Sequence, residues 1–449
     1  MIQSANICQT SPANPSLETW GGVECTCNRV QDRYFDQMEL SGHADRRSDY
    51  ERFAGLGIRT VRVGLLWERH ELDPSWRWAD AHLACVRGSG MRPIVGLMHH
   101  GSGPPHTNLL DPEFPRKFAA YAGRVADRYP WVDCYTPINE PNTTARFSAM
   151  YGIWYPHAMS RASYLRALLN EVKATVLAME EIRRVRPDAQ LIQTDDLGTI
   201  RGTGALRSTC ELLNVRQWLA FDLLGGRVDR HHPMFVYMRA ESIPEAEIHW
   251  FQEHTCAPDI VGANYYVTSD RYLDHRLALY PANCRSAEGP FVDVEAVRAH
   301  PEGITGIDSL LRLAWNRYHV PVAITEVHLG CTVEQQIRWL AEIWEGAMRA
   351  RDAGVECVAL TVWALLGSFY WNQLVTSENG HYEPGVFDLI SGVPEATELA
   401  TVVRQVASGK RPDHPALADV GWWRREERIC FGCKEESVAD TGLPLIVAA

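Results

Sequence analysis

The 449-residue sequence has no apolar run near the roughly 18 residues that a membrane-spanning helix needs. Its opening, from Met1 to Leu17, lacks both the basic start and the apolar core of an export signal. Basic residues are in deficit, with 44 Lys and Arg against 56 Asp and Glu and a formal net charge of -12. Phosphate backbones are held by a local excess of Lys and Arg, so nucleic acid is not an expected partner, and neither is a membrane. Low-complexity linkers and internal repeats are missing, which removes solenoids and strings of small modules. Metal-ligand spacings are missing too. His99, His100 and His106 cluster without a spaced carboxylate, and Cys430 and Cys433 form a Cys-x-x-Cys with no second pair to complete four ligands. No metal and no cofactor are expected. The 12 cysteines are scattered through a long chain, which reads as reduced thiols of a cytoplasmic protein and not as a disulfide frame.

What is present is material for a large core: 46% of residues are hydrophobic and 22% charged. Short runs rich in Val, Ile, Leu and Thr alternate with longer segments of helical period, the pattern of parallel strands with crossover helices. The strand candidates are residues 19–24, 60–67, 92–99, 133–139, 190–195, 259–265, 321–326 and 357–364. Helix candidates include 47–56, 115–128, 161–186, 210–224, 307–318 and 333–353. Eight strands alternating with helices imply an α/β fold, a single-domain (β/α)8 TIM barrel over residues 18–409. Residues 1–17 read as an N-terminal extension and 410–449 as a tail packing on the barrel. The stretch 270–301 shows no clear helical period and reads as a long excursion over the barrel mouth.

In such a barrel, reactive side chains project from the C-terminal ends of strands. The fourth strand closes with Asn139-Glu140-Pro141 and the seventh with Ile324-Thr325-Glu326. A carboxylate ending a buried strand carries a desolvation cost that hydrogen bonds or function must offset. Two of them facing one mouth suit glycoside hydrolysis, where one carboxylic acid protonates the leaving oxygen and one carboxylate attacks the anomeric carbon.

These motifs resemble the signature of glycoside hydrolase family 1, the β-glucosidase family. Other blocks follow in family order: Trp20-Gly21 opening strand one, His99 ending strand three, Asn264-Tyr265-Tyr266 ending strand six, and Trp363 to Trp371 after strand eight. The resemblance runs from about Trp20 to about Leu389. It implies a retaining β-glycosidase acting on a small glycoside or oligosaccharide through a covalent glycosyl-enzyme intermediate. Glu140 takes the role of acid/base and Glu326 that of nucleophile. Asn139 is similar to the Asn that bonds the sugar 2-hydroxyl, His99 to the His at the sugar's edge, and Trp363 to the aromatic floor. Tyr265 or Tyr266 takes the place of the tyrosine that orients the nucleophile.

Departures from the family pattern concern the residues that choose the sugar. The Gln and Glu that clamp the outer hydroxyls correspond here to Asn28 and Tyr370, the latter just before Trp371, which implies a terminal sugar other than plain glucose. Val327-His328-Leu329 follows the nucleophile where the family has Asn-Gly. Glu24, Arg29, Arg62, Arg146 and Trp154 are further candidates, with Arg62 placed in strand two to hold Glu326 ionised. Two alternatives keep the barrel: a transglycosidase, and a catalytically impaired carbohydrate-binding protein.

Overall fold

A computed structural model describes residues 16–431. Eight parallel strands close a barrel: β1 (Glu18–Gly22), β2 (Thr60–Gly64), β3 (Arg92–His99), β4 (Cys134–Asn139), β5 (Gln190–Asp196), β6 (Ile260–Asn264), β7 (Val322–Val327) and β8 (Cys357–Val362). Each falls on one of the eight runs expected from sequence. β1 closes the ring by pairing with both β2 and β8, Trp20 lying opposite Thr60 on one side and Thr361 on the other. No helix among the described residues is long and apolar enough to cross a membrane.

The strands are apolar on both faces because both are covered. Inside, Trp20, Ile94, Cys134, Ile192, Ala323 and Ala359 fill the lower barrel, so that the chemistry sits on a packed floor. Outside, helices Phe114–Arg128, Arg161–Val185, Ile307–Tyr318 and Val333–Asp352 lay amphipathic faces on the strands. The helix expected over 210–224 is two helices, Arg207–Arg216 and Leu219–Leu224, interrupted at Gln217 and Trp218. Gln217 donates to Asn214 and accepts from the Gly198 backbone, a tertiary demand that periodicity does not show.

The excursion after β6 is also more ordered than its sequence suggests. Arg271–Asp274 and Val292–Glu295 pair as an antiparallel hairpin, and Arg271–Asp274 pairs in parallel with Ile200–Gly202 from the loop after β5. This three-stranded sheet places Arg271, Asp293 and Glu295 at the barrel mouth.

Residues 410–431 wrap the barrel. Trp423 is fully buried, meets Trp339 edge-on at 5.1 Å and donates its indole N–H to Glu342 at 2.8 Å. Trp339 in turn stacks on Tyr265 behind the site. Cys430 donates its backbone N–H to the Arg298 carbonyl, while Cys433 lies outside the described residues. Trp423→Ala is expected to lower unfolding stability by about 3–5 kcal/mol, the range for emptying a buried Trp site. Urea denaturation checks this, and a loss below about 1 kcal/mol would place the tail outside the cooperative core.

Candidate active site

Two backbone irregularities aim the two glutamates. Glu140 follows the last residue of β4 at φ 47° and ψ 59°, a left-handed conformation uncommon for a non-glycine residue, and its N–H donates to Thr194 O of β5. Pro141 then opens a short helix, Pro141–Ala145, with its φ already suited to the first turn. Glu326 sits on a bulge. β7 pairs Ile324 with Ala263 but Glu326 with Asn264, which spends two residues against one and turns the Glu326 side chain inward.

A continuous hydrogen-bonded chain then joins the two carboxyls. Arg62, on the inward face of β2, gives Nη1 to Glu326 Oε1 at 2.8 Å and Nη2 to Asn139 Oδ1 at 2.7 Å. Thr194 donates to the same Asn139 oxygen at 2.7 Å, and Asn139 Nδ2 meets His99 Nε2 at 3.2 Å. Asn264 accepts from Thr325 and gives its amide N–H to Glu140 Oε1 at 2.5 Å. Tyr266 OH donates to Glu326 Oε2 at 2.5 Å.

The two carboxyls therefore live in different fields. Burial raises Glu326, while the Arg62 guanidinium and the Tyr266 hydroxyl pull the other way and Glu24 adds a smaller upward push, leaving it at about 7. Burial also raises Glu140, and the negative charge of Glu326 raises it further. Only the Asn264 hydrogen bond is set against these, so Glu140 is pushed well above the ordinary range. Of the pair, Glu140 keeps the proton and Glu326 gives it up. Burial holds His99 far below its usual range, as a neutral ring whose Nε2 can accept from Asn139.

Both glutamates line one cavity of about 260 Å³. Glu24, Tyr266, Trp363 and Trp371 line it as well. Trp363 lies over the β1 backbone: a Cβ on Gly22 would stand 2.3 Å from its ring, so only glycine there admits the indole. Glu24 accepts from the Trp363 indole N–H at 3.2 Å, His99 stacks on its ring at 5.3 Å, and the Arg62 guanidinium lies 4.4 Å from its centroid.

Arg62, His99, Asn139 and Asn264 stand behind the two carboxyls and hold them. Tyr265 points elsewhere: its hydroxyl donates to Asp270 and accepts from Gly306 N–H, so Tyr266 is the tyrosine that reaches Glu326. Asn28 and Tyr370 do not line the cavity. Asn28 is buried with Nδ2 on the Val375 carbonyl, and Tyr370 packs against Phe369. Of the other candidates, Arg146 lines the cavity, Arg29 stacks on Tyr155, and Trp154 donates to the Leu374 carbonyl.

Several lining groups were not foreseen as contacts: His100, His328, Glu383, Arg298 and Trp422. His100 Nε2 lies 3.8 Å from Glu140 Oε2. Burial pushes Glu383 up, but His328 and His381 outweigh it and hold it at about 2, so an ionised carboxylate outside the catalytic pair also faces the cavity. Placement after strand ends was the available signal for His100 and His328. Glu383 and Trp422 come from irregular segments with no local signal.

No family model matches the chain. Among solved structures, a family 1 β-glucosidase from Thermotoga maritima superposes with a TM-score of 0.69 at 18% identity, covering 83% of this chain and 88% of that one. The β-glucosidase from the same organism in complex with castanospermine gives 0.71 at 17% identity, over 90% and 99% of the two chains. The complex with deoxynojirimycin gives 0.69 at 19%, over 83% and 88%. At such identities the likeness is one of architecture, and the chain is similar in its (β/α)8 barrel to the family 1 β-glucosidases.

Proposed function

We propose that this chain is a β-glycosidase acting with retention, with Glu326 as nucleophile and Glu140 as acid/base. The observation that carries the reading is the unequal environment of two buried carboxyls in one cavity: Glu326 has a cation and a phenol as donors, and Glu140 has one neutral amide. In the first step Glu326 attacks the anomeric carbon while Glu140 gives its proton to the leaving oxygen. In the second, Glu140 as carboxylate takes a proton from water, which attacks the same carbon and releases Glu326. Retention would place the two carboxyl groups about 5–5.5 Å apart. Trp363 is assigned to the sugar face, with a small glycoside or oligosaccharide as substrate, while Asn139, which does not line the cavity, is assigned to positioning Arg62 and His99 behind the carboxyls.

The terminal sugar is proposed to differ from plain glucose. Asn28 and Tyr370 stand where the resemblance puts the outer-hydroxyl clamp, and neither reaches the cavity, while Glu24 and Glu383 do. A different set of polar groups selects a different set of hydroxyls.

Nitrophenol release from aryl β-glycosides of glucose, galactose, fucose, xylose and mannose tests the assignment. Activity on some member is expected to vanish in Glu326→Ala and return with azide, and the first-formed sugar should be the β anomer by proton NMR. An inverted product, or full activity in Glu326→Ala, removes the nucleophile assignment. A glucoside-over-fucoside preference above about tenfold in kcat/KM would remove the non-glucose reading.

The pH profile is a second test. Turnover needs Glu326 ionised and Glu140 protonated. As pH falls through about 7, Glu326 takes up a proton and kcat/KM drops. As pH rises, Glu140 loses its proton at the higher of the two values, giving a bell. Arg62→Gln removes the cation that favours the Glu326 carboxylate, so the acidic limb is expected to move to higher pH. An unmoved limb would show that Arg62 does not set the Glu326 charge state.

A further inference from the structure

We infer that the cavity wall carrying Arg146 is a binding site for an oxyanion, a carboxylate or phosphate borne by the leaving group; the inference rests on the glycosidase reading above. Arg146 begins the π-helical turn Arg146–Met150, which directly follows the helix Pro141–Ala145 that starts at Glu140. It therefore stands on the wall that also carries the proposed proton donor. Phe147 and Tyr151 from the same segment line this wall and give it an apolar surface.

The Arg146 guanidinium is incompletely hydrogen-bonded by its surroundings. Nη2 donates to Thr143 Oγ1 at 3.2 Å, Nε is buried with no acceptor, and no carboxylate among the described residues lies within ion-pair distance. The neighbouring cations differ. Arg271 is paired with Asp293 at 2.8 Å, Arg298 lies 3.8 Å from Glu295 and 4.0 Å from the Trp422 ring, and Arg216 is bound by Glu288. Glu288 is firmly ionised, but Arg216 and Tyr151 occupy its oxygens.

The nearby carboxyls of Asp195 and Asp196 do not pair directly with Arg146 and are raised by burial. Burial raises Asp196, whose Oδ1 is already held by Ser269, and burial pushes Asp195 up to about 8. The negative fields of Asp196 and Glu288 favour the half-buried Arg146 cation from beyond ion-pair distance, while its buried Nε is left without the acceptor that a bound anion would supply. Its planar fork of N–H donors fits the paired oxygens of carboxylate or phosphate. The ligand that satisfies this wall has an apolar ring against Phe147 and Tyr151 and an oxyanion on Arg146.

The test measures binding of para-hydroxybenzoate, para-hydroxyphenyl phosphate and para-hydroxybenzamide to the full chain by titration calorimetry. The same three compounds are then used as leaving groups of β-glycosides of the sugar found with the nitrophenyl panel. One of the two anions is expected to exceed the amide by roughly tenfold or more in affinity and in kcat/KM, and which anion does so separates carboxylate from phosphate. The anion-to-amide ratio should fall to about one in Arg146→Gln and be partly kept in Arg146→Lys, with thermal melts confirming that both variants fold. Equal binding of acids and amide by the wild type, or a preference that survives Arg146→Gln, overturns the inference. The two readings fail separately. Hydrolysis without charge preference removes the oxyanion site and leaves the glycosidase, while Arg146-dependent anion binding in a protein that hydrolyses no glycoside keeps the site and removes the glycosidase.

Discussion

The site depends on one guanidinium crossing the inside of the barrel. Arg62 leaves β2 and reaches Glu326 and Thr325 on β7 and Asn139 on β4, three strands that are not neighbours in the sheet. A buried cation of this kind is tolerated because its donors find acceptors of full or partial negative charge, and removing one partner of such a pair typically costs about 3–5 kcal/mol. The same contact fixes the Asn139 amide, so that its N–H faces His99, and through Asn264 it couples the position of Glu140 to that of Glu326. The placement of both carboxyls thus leans on a single interior residue and the amides it orders, while burial, Tyr266 and the charge of Glu326 join it in setting their charge states.

Around this knot the barrel is shaped to bring irregular segments to its mouth. The bulge in β7 and the left-handed residue after β4 each depart from regular geometry at the one position where a carboxyl must turn inward. Gly22 yields its side-chain space to the Trp363 ring, which then serves as a surface for His99, Arg62 and Glu24 together. The excursion after β6 and residues 410–431 close the far wall through Arg271, Arg298 and Trp422. Trp339 links these parts, packing on Tyr265 on one side and Trp423 on the other.

Much of the barrel was legible in the chain because strand runs and helix periods are local properties. The eight runs were placed to within a few residues, and Arg92–His99 in full. The segment 270–301 hid its strands, since Arg271–Asp274 pairs with Ile200–Gly202 far away in sequence and each strand is only a few residues long. The break at Gln217 likewise answers to the Gly198 backbone across the fold.

By itself the sequence determined the period of the strands, the two carboxylates that end β4 and β7, and an Arg in β2 able to face inward, because each is set by residue type and spacing along one element. Only the tertiary structure decided that Tyr266 and not Tyr265 meets Glu326, that Asn28 and Tyr370 stay out of the cavity, and that Glu383, His328 and Trp422 enter it. Those outcomes turn on where a side chain points after a strand ends and on which distant loop covers the mouth. Both are fixed by packing among segments that carry no periodicity of their own.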